Sequence, residues 1–160
     1  MPVKRHPVAT TFSERPDQRL DSIPLDLGVV NRLRLSYEQV RTRGDALAEV
    51  FYGKLFTAAP HLRGMFKASP QAQSAKLMAA LDAVVRNLEK PEENAAMLAE
   101  LGRRHAGYGA RPEHYALVVD LLVDSMGEVL DRPQPESLAE WRVALQLISR
   151  QMLSAADSKA

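Results

Sequence analysis

Apolar residues recur every three or four positions along most of the chain after residue 26, and prolines interrupt this pattern at wide intervals. Such a period places one face of an α-helix against a core. Proline is tolerated in the first turn of a helix and disrupts its interior, so five prolines predict helix starts: Pro60, Pro70, Pro91, Pro112 and Pro135. No segment alternates apolar and polar residues as a half-buried strand does. The chain is predicted to be all-α, with six or seven helices.

The same pattern predicts where each helix lies. The expected helical segments are approximately 27–44, 45–59, 60–66, 70–88 and 112–132, with one further helix that starts at Pro91 and includes 97–105 and a last helix that starts at Pro135 and includes 138–152. The segment 60–66 is long enough for only one or two turns. Since so few residues separate Phe66 from Gln73, no separate short helix is expected between them.

The first 26 residues differ from the rest, because they hold four prolines and show little periodicity. They predict a flexible N-terminal extension, or alternatively a partner-binding or targeting arm. A single domain is expected over 27–153, followed by a C-terminal tail at 154–160. A chain of 160 residues fits one domain, with no room for a second catalytic domain such as a flavin reductase.

Composition excludes several functional classes. The 21 basic and 20 acidic side chains give a net charge of +1, which argues against a nucleic-acid-binding surface. The chain has no cysteine, which rules out disulfides, zinc–thiolate sites, iron–sulfur clusters and thioether-linked haem. It also lacks a run of about 18 apolar residues and an apolar signal core. We therefore expect a cytoplasmic protein that does not span a membrane.

Of the four histidines, His105 is the one expected on an apolar helix face, four residues after Leu101. Imidazole is a good ligand for iron. A single histidine does not define a metal site, however, and a hydrogen-bonded core histidine is the alternative. His61 and His114 each lie near a proline at a helix start, where exposure is expected.

The motifs around His105 change this interpretation. The chain contains FYGKLFTAAPHLRGMF at 51–66, QSAKLM at 73–78 and LGRRHAGYGARPEHY at 101–115, with Trp141 in the last helix. This ordered set resembles the globins, and most closely the single-domain bacterial globins related to flavohaemoglobins. The resemblance covers about 27–152. It implies a globin fold, with helices packed around a pocket for non-covalent haem b.

The resemblance also implies roles for individual residues. His105 matches the proximal ligand of haem iron, and Tyr115 matches a tyrosine near that histidine. Tyr52 and Gln73 match distal residues that donate hydrogen bonds to a bound diatomic ligand, and Phe66 matches the phenylalanine on the haem face. The other implied cofactor-binding positions are Phe51, Leu77, Leu101, Lys76 and Arg104. Of these, Lys76 and Arg104 are candidates to pair with the haem propionates, as is Arg103.

Each of these residues also has a plainer interpretation. Phe66, Leu77 and Trp141 would be core residues in any all-α protein, and Tyr52 could lie at the margin of a core. Gln73 and the basic residues would be solvated, or Lys76 could act as a sixth iron ligand. Flavohaemoglobins also carry a glutamate in the last helix that has no convincing counterpart near Ser158, which argues against a peroxidase-like or fully tuned dioxygenase site.

Three functions stay open on this evidence. The first is reversible binding of dioxygen at a pentacoordinate haem iron for storage, delivery or scavenging, with nitric oxide and carbon monoxide as further ligands. The second is a nitric oxide dioxygenase that converts nitric oxide to nitrate and depends on a separate reductase. The third is a gas or redox sensor, or an interaction protein acting through residues 1–26.

Overall fold

The computed structural model describes residues 27–130 and 135–158, and in these ranges every regular element is helical. The predicted extension at 1–26 lies outside the described residues. Six α-helices and one 3-10 helix follow one another: α1 Leu27–Thr42, α2 Gly44–Ala58, the 3-10 helix Pro60–Met65, α3 Pro70–Glu89, α4 Pro91–Gly107, α5 Pro112–Val129 and α6 Pro135–Ser158. The predicted all-α class is confirmed. Helix α6 continues past residue 153, and the domain boundary placed there stays a prediction.

Every proline that was predicted to start a helix occupies the first position of one. The reason is that proline has no amide hydrogen, and the first-turn amides of a helix have no intrahelical partner in any case. At α3 the start is reinforced by Ser69, whose Oγ accepts a hydrogen bond from the Ala72 amide at 3.2 Å. Residues 66–69 form no helix, so the expected absence of a short helix before Gln73 holds in this described segment.

Helices α4 and α5 are joined by a tight turn at Gly109, which has a φ of 93°. This left-handed conformation disfavours side chains with a Cβ. The amide of Ala110 donates to the carbonyl of His105 at 2.9 Å. The turn therefore fixes the end of α4 directly after the histidine that the sequence singled out.

Trp141 lies at the centre of the core and is fully buried. Its indole Nε1–H donates to Ser36 Oγ at 2.9 Å, which joins α6 to α1. A buried indole N–H requires an acceptor, and the buried hydroxyl of Ser36 supplies it. The sequence predicted the buried tryptophan but not its partner.

Helices α4 and α6 approach each other most closely at Gly102. A Cβ at this position would lie 2.9 Å from the Cα of Met152, and closer still to its carbonyl oxygen. Only glycine allows the two backbones to come this near. Because His105 lies one turn further along α4, this contact positions the histidine relative to α6.

No described helix combines the length and apolar character needed to cross a lipid bilayer.

Candidate functional site

Four aromatic rings from α2 and from the end of the 3-10 helix form one cluster. The Tyr52 ring lies 4.9 Å from Phe51, 5.9 Å from Phe56 and 5.5 Å from Phe66, between ring centroids. Phe56 and Phe66 are also 5.5 Å apart. Phe51 is buried, and the other three rings are partly exposed. The result is an apolar wall with Tyr52 at its centre.

The hydroxyl of Tyr52 faces Gln73 on α3. It donates to Gln73 Oε1 at 3.4 Å, well beyond the usual 2.7–2.8 Å for such a bond. A bond this long is weak and can be exchanged for another acceptor. Burial raises the pKa of Tyr52 to about 12, so the phenol remains a protonated donor at neutral pH.

Leu77 lies one helical turn after Gln73 and on the same face of α3. It is buried in the core together with Phe51. The Tyr52 hydroxyl and the Gln73 amide are thus bordered by apolar side chains. Hydrogen bonds are stronger in such surroundings than in water.

His105 is half-buried on α4, and its Nδ1 lies 2.9 Å from the carbonyl oxygen of Leu101. A carbonyl oxygen can only accept, so Nδ1 carries the hydrogen. In the neutral ring this leaves Nε2 with a free lone pair. Such an arrangement is typical of metal-binding histidines, so His105 could hold a metal through Nε2.

Two tyrosines flank His105. The Tyr115 ring on α5 lies 6.0 Å from the imidazole, and Tyr108 on the turn lies 6.3 Å from it. Tyr115 is half-buried, and this burial raises the pKa of its hydroxyl. Tyr108, in contrast, is 65% exposed. Tyr115 and the half-buried Leu101 therefore lie around the imidazole on the protein side, and Tyr108 marks its solvent side.

Lys76 and Arg104, which the sequence placed near a cofactor, are both exposed. Arg104 Nε lies 3.6 Å from Glu100, which also pairs with Arg103 at 3.2 Å. Surface pairs of this kind contribute little stability and exchange readily. The side chains of Lys76 and Arg104 can therefore reorient toward an anionic group.

The structure brings together one pair of histidines that sequence reasoning did not connect. The rings of His61 on the 3-10 helix and His114 on α5 lie 6.2 Å apart, and His114 Nδ1 accepts from the Arg111 amide at 3.1 Å. His61 is exposed as expected, while His114 is half-buried. The sequence holds no signal for this contact, because 52 intervening residues separate the two.

An open surface cleft of about 470 Å³ lies elsewhere, where α1, α2 and α3 meet around Arg43, Asp45 and Ser74. Ser74 Oγ donates to Asp45 there at 2.9 Å. The cleft includes none of the residues predicted for the site. Among the described residues, no three His, Asp or Glu side chains lie close enough together to hold a metal ion on their own.

Comparison with known proteins identifies relatives and structures with the same fold. The globin family model matches residues 49–152. The flavohemoprotein of Rhizobium meliloti is 35% identical over 105 residues, which are 63% of this chain and 26% of that protein. The chain thus spans about a quarter of the length of this relative.

Two solved structures share the fold. A bacterial globin from Campylobacter jejuni superposes with a TM-score of 0.74 at 21% identity, over 84% of this chain and 98% of that one. An engineered carbene transferase, made from a candidate nitric oxide dioxygenase of Rhodothermus marinus, has a TM-score of 0.74 at 25% identity and covers 84% and 95%. The family match, the helix order and these superpositions lead to one conclusion: the chain belongs to the globin family, a family of haem-binding proteins.

Proposed function

We propose that this globin binds one haem b between His105 and the Tyr52–Gln73 pair, and that it binds dioxygen reversibly there. The observation that carries the proposal is the hydrogen bond from His105 Nδ1 to the Leu101 carbonyl, because it leaves Nε2 free for iron. Haem bound through His105 would supply an iron centre that takes up dioxygen, nitric oxide or carbon monoxide. Attachment is non-covalent, since the chain has no cysteine.

The described residues fit this group chemically. Phe66, Leu101 and Tyr115 are half-buried side chains that an apolar macrocycle would cover. Phe51 and Leu77 are buried beside them and keep water away from the ligand side. Lys76 and Arg104 are solvent-accessible cations that would pair with the two propionates. His105 also keeps a backbone partner for its second nitrogen, as metal-bound histidines usually do.

Tyr52 and Gln73 would determine how tightly dioxygen is held. Bound dioxygen carries partial negative charge and is therefore stabilised by hydrogen-bond donors. The Tyr52 hydroxyl gives up only a weak bond of 3.4 Å when it turns to the ligand, and its raised pKa keeps it protonated. The Gln73 amide supplies a second donor. Slow dioxygen release follows.

The first experiment tests the iron ligand. Wild-type protein, His105→Gly and His61→Ala are titrated with haem and followed by visible absorption. We expect His105→Gly to lose the five-coordinate ferrous spectrum and to regain it with added imidazole. His61→Ala, an exposed histidine outside the predicted ligand set, serves as the control and should match wild type. An unchanged His105→Gly spectrum would refute the assignment.

The second experiment tests the distal donors. Loss of a hydrogen bond to a charged acceptor costs about 1.5–3 kcal/mol, and about 1.4 kcal/mol corresponds to tenfold. Tyr52→Phe should therefore speed dioxygen dissociation at least tenfold in stopped flow. The control is Tyr37→Phe, which removes a buried hydroxyl bonded to the Met78 carbonyl outside the site. Equal rates for wild type and Tyr52→Phe would contradict the role of Tyr52.

A second function, nitric oxide dioxygenase, is favoured by similarity to the flavohemoproteins and to the Rhodothermus marinus protein. In that reaction nitric oxide, dioxygen and one electron yield nitrate. Each turnover needs an electron from a donor protein. Nitrate production that continues for many turnovers with a bacterial reductase extract would support this enzyme function. A single turnover per haem under the same conditions would leave only the carrier.

A further inference from the structure

The charge of the chain is distributed unevenly around the candidate site. Residues 60–76 and 101–115 carry Phe66, Gln73, His105 and Tyr115. These two segments contain six of the 21 basic residues and one of the 20 acidic ones, which gives them a formal charge of +5. The remaining 15 basic and 19 acidic residues sum to −4. A nearly neutral chain thus concentrates positive charge in the segments that border its site.

The two segments also contact each other in the folded chain. The His61 and His114 rings, 6.2 Å apart, bring the 3-10 helix against the start of α5. Arg111, whose amide donates to His114 Nδ1, has a side chain that is 71% exposed. Arg63 belongs to the other segment, 60–76, and its guanidinium carbon lies 4.5 Å from the centroid of the Phe56 ring. The two positively charged segments, here called the border of the site, therefore touch at this point.

Carboxylates neutralise only part of this border. Glu113 pairs with Arg111 at 3.3 Å, and Glu100 serves Arg103 and Arg104. In the part of the chain that the structure describes, no ion pair involves Arg63, Lys67 or Lys76. Two propionates satisfied by Lys76 and Arg104 would still leave Arg63 and Lys67 unpaired.

An exposed aromatic residue adjoins these charges. Tyr108 is 65% exposed, and its ring lies 6.3 Å from the His105 imidazole. Its amide donates to the carbonyls of Arg104 and His105 at 3.0 and 3.1 Å, which fixes the backbone beneath the ring. Exposed tyrosines on a rigid backbone are frequent anchors of protein interfaces. A partner seated on Tyr108 would lie one side chain from the iron ligand.

We infer that Tyr108 and the exposed Arg63, Lys67 and Arg111 of the same two segments, here called the basic rim, dock the acidic face of a one-electron donor protein. The inference rests on the second proposed function, nitric oxide dioxygenase, in which oxidised iron must be reduced after each turnover. One electron leaves the reduced cofactor of the donor, a flavoprotein by class, and ferric iron gains it, with no bond made or broken. Opposite charges steer such an encounter and raise its association rate.

The test uses a reduced bacterial flavodoxin, an acidic flavoprotein, as the probe. Binding of oxidised flavodoxin to the haem-loaded protein is measured by calorimetry, and haem reduction by stopped flow, over a series of ionic strengths. Arg111→Glu reverses one charge of the rim, and Tyr108→Ser removes its aromatic anchor. Arg86→Glu is the matched control, because Arg86 is 70% exposed and ion-paired with Asp82 away from the rim.

We expect Arg111→Glu to weaken binding and slow second-order reduction by roughly three- to tenfold at low salt. The difference should disappear toward 1 M salt, where the screening length is about 3 Å. Tyr108→Ser should weaken binding at every salt concentration, and Arg86→Glu should match wild type. Dioxygen dissociation should be unchanged in Arg111→Glu and Arg86→Glu.

Equal effects of Arg111→Glu and Arg86→Glu, or reduction insensitive to salt, would overturn the inference. The inference would also be overturned if the protein bound phosphatidylglycerol vesicles through Arg111 and did not bind flavodoxin. In that case the rim would be a membrane-binding surface. Failure of the proposed function is a separate result, because a protein that takes up no haem fails the haem titration. Docking is read from the binding isotherm, which needs no turnover.

Discussion

Replacement of Gly102 by alanine tests whether the close approach of α4 and α6 determines both the stability and the site. The added Cβ would lie 2.9 Å from the Cα and the carbonyl carbon of Met152. Ordinary contact begins at 3.4 Å, and the carbonyl oxygen of Met152 would lie closer to the Cβ than either carbon, so the two backbones must separate by more than 0.5 Å. The obstacle is backbone, and a change of side-chain rotamer cannot remove it.

The magnitude follows from two opposing terms. Overpacking a tight contact costs typically 1–3 kcal/mol, and a backbone obstacle places this case near about 3 kcal/mol. Alanine in a helix interior is favoured over glycine by about 1 kcal/mol. The net loss for Gly102→Ala is therefore about 2 kcal/mol, or a fall of roughly 4–8 °C in melting temperature for a domain of this size.

Gly53→Ala provides a control with the opposite sign. Gly53 lies inside α2, and its Cβ would meet nothing within 4 Å, so only the propensity gain of about 1 kcal/mol applies. Urea unfolding followed by circular dichroism at 222 nm gives both free energies. The two variants should differ by about 3 kcal/mol. Because α4 carries His105 one turn beyond Gly102, Gly102→Ala should also weaken haem binding.

Equal stability of the two variants would refute the reasoning, since it would mean that α4 and α6 separate without loss. Loss of stability in Gly102→Ala with unchanged haem affinity would retain the packing argument. It would reject the link between this contact and the position of His105.

Three further predictions concern buried polar groups. Ser36→Ala leaves the indole N–H of Trp141 without its acceptor and should cost about 1–3 kcal/mol in urea unfolding; in a Trp141→Phe background the same change should cost far less, and equal costs would reject the bond. Because burial raises the folded pKa of Tyr52 to about 12 from 10.0, stability should fall as pH rises from 10 to 12 and stay unaffected by this group below pH 10. Tyr52→Phe should remove about 1–2 kcal/mol of that fall, discounted for partial exposure, and identical alkaline unfolding profiles would count against it. Asn87 Oδ1 has no hydrogen-bond partner among the described residues, and Asn87 Nδ2 donates only a long bond of 3.4 Å to Gln151 Oε1. Asn87→Leu should therefore be neutral or stabilising by up to about 1 kcal/mol, and a clear loss on thermal unfolding would show that the bonds of Asn87 stabilise the fold.

Much of the fold was predictable from the sequence because its signals are local. A period of three to four residues and prolines at helix starts depend only on the chain within one or two turns. The five prolines therefore marked five helix starts correctly. The candidate site was predictable in part for a different reason, since the positions of Tyr52, Gln73 and His105 matched an ordered family pattern. Their roles as ligand and donors stay predictions.

The sequence by itself determined the helical class, the helix starts and the residues with the chemistry for a haem site. Only the tertiary structure decided which groups meet. The pairs are Ser36 with Trp141, His61 with His114, Gly102 with Met152, and the Leu101 carbonyl with Nδ1 of His105. Three of these pairs join different helices, so no local signal encodes them. The fourth depends on a side-chain rotamer, which neighbouring helices select through packing. The joining of positive charge into one rim likewise required the fold, because its two segments are distant in sequence.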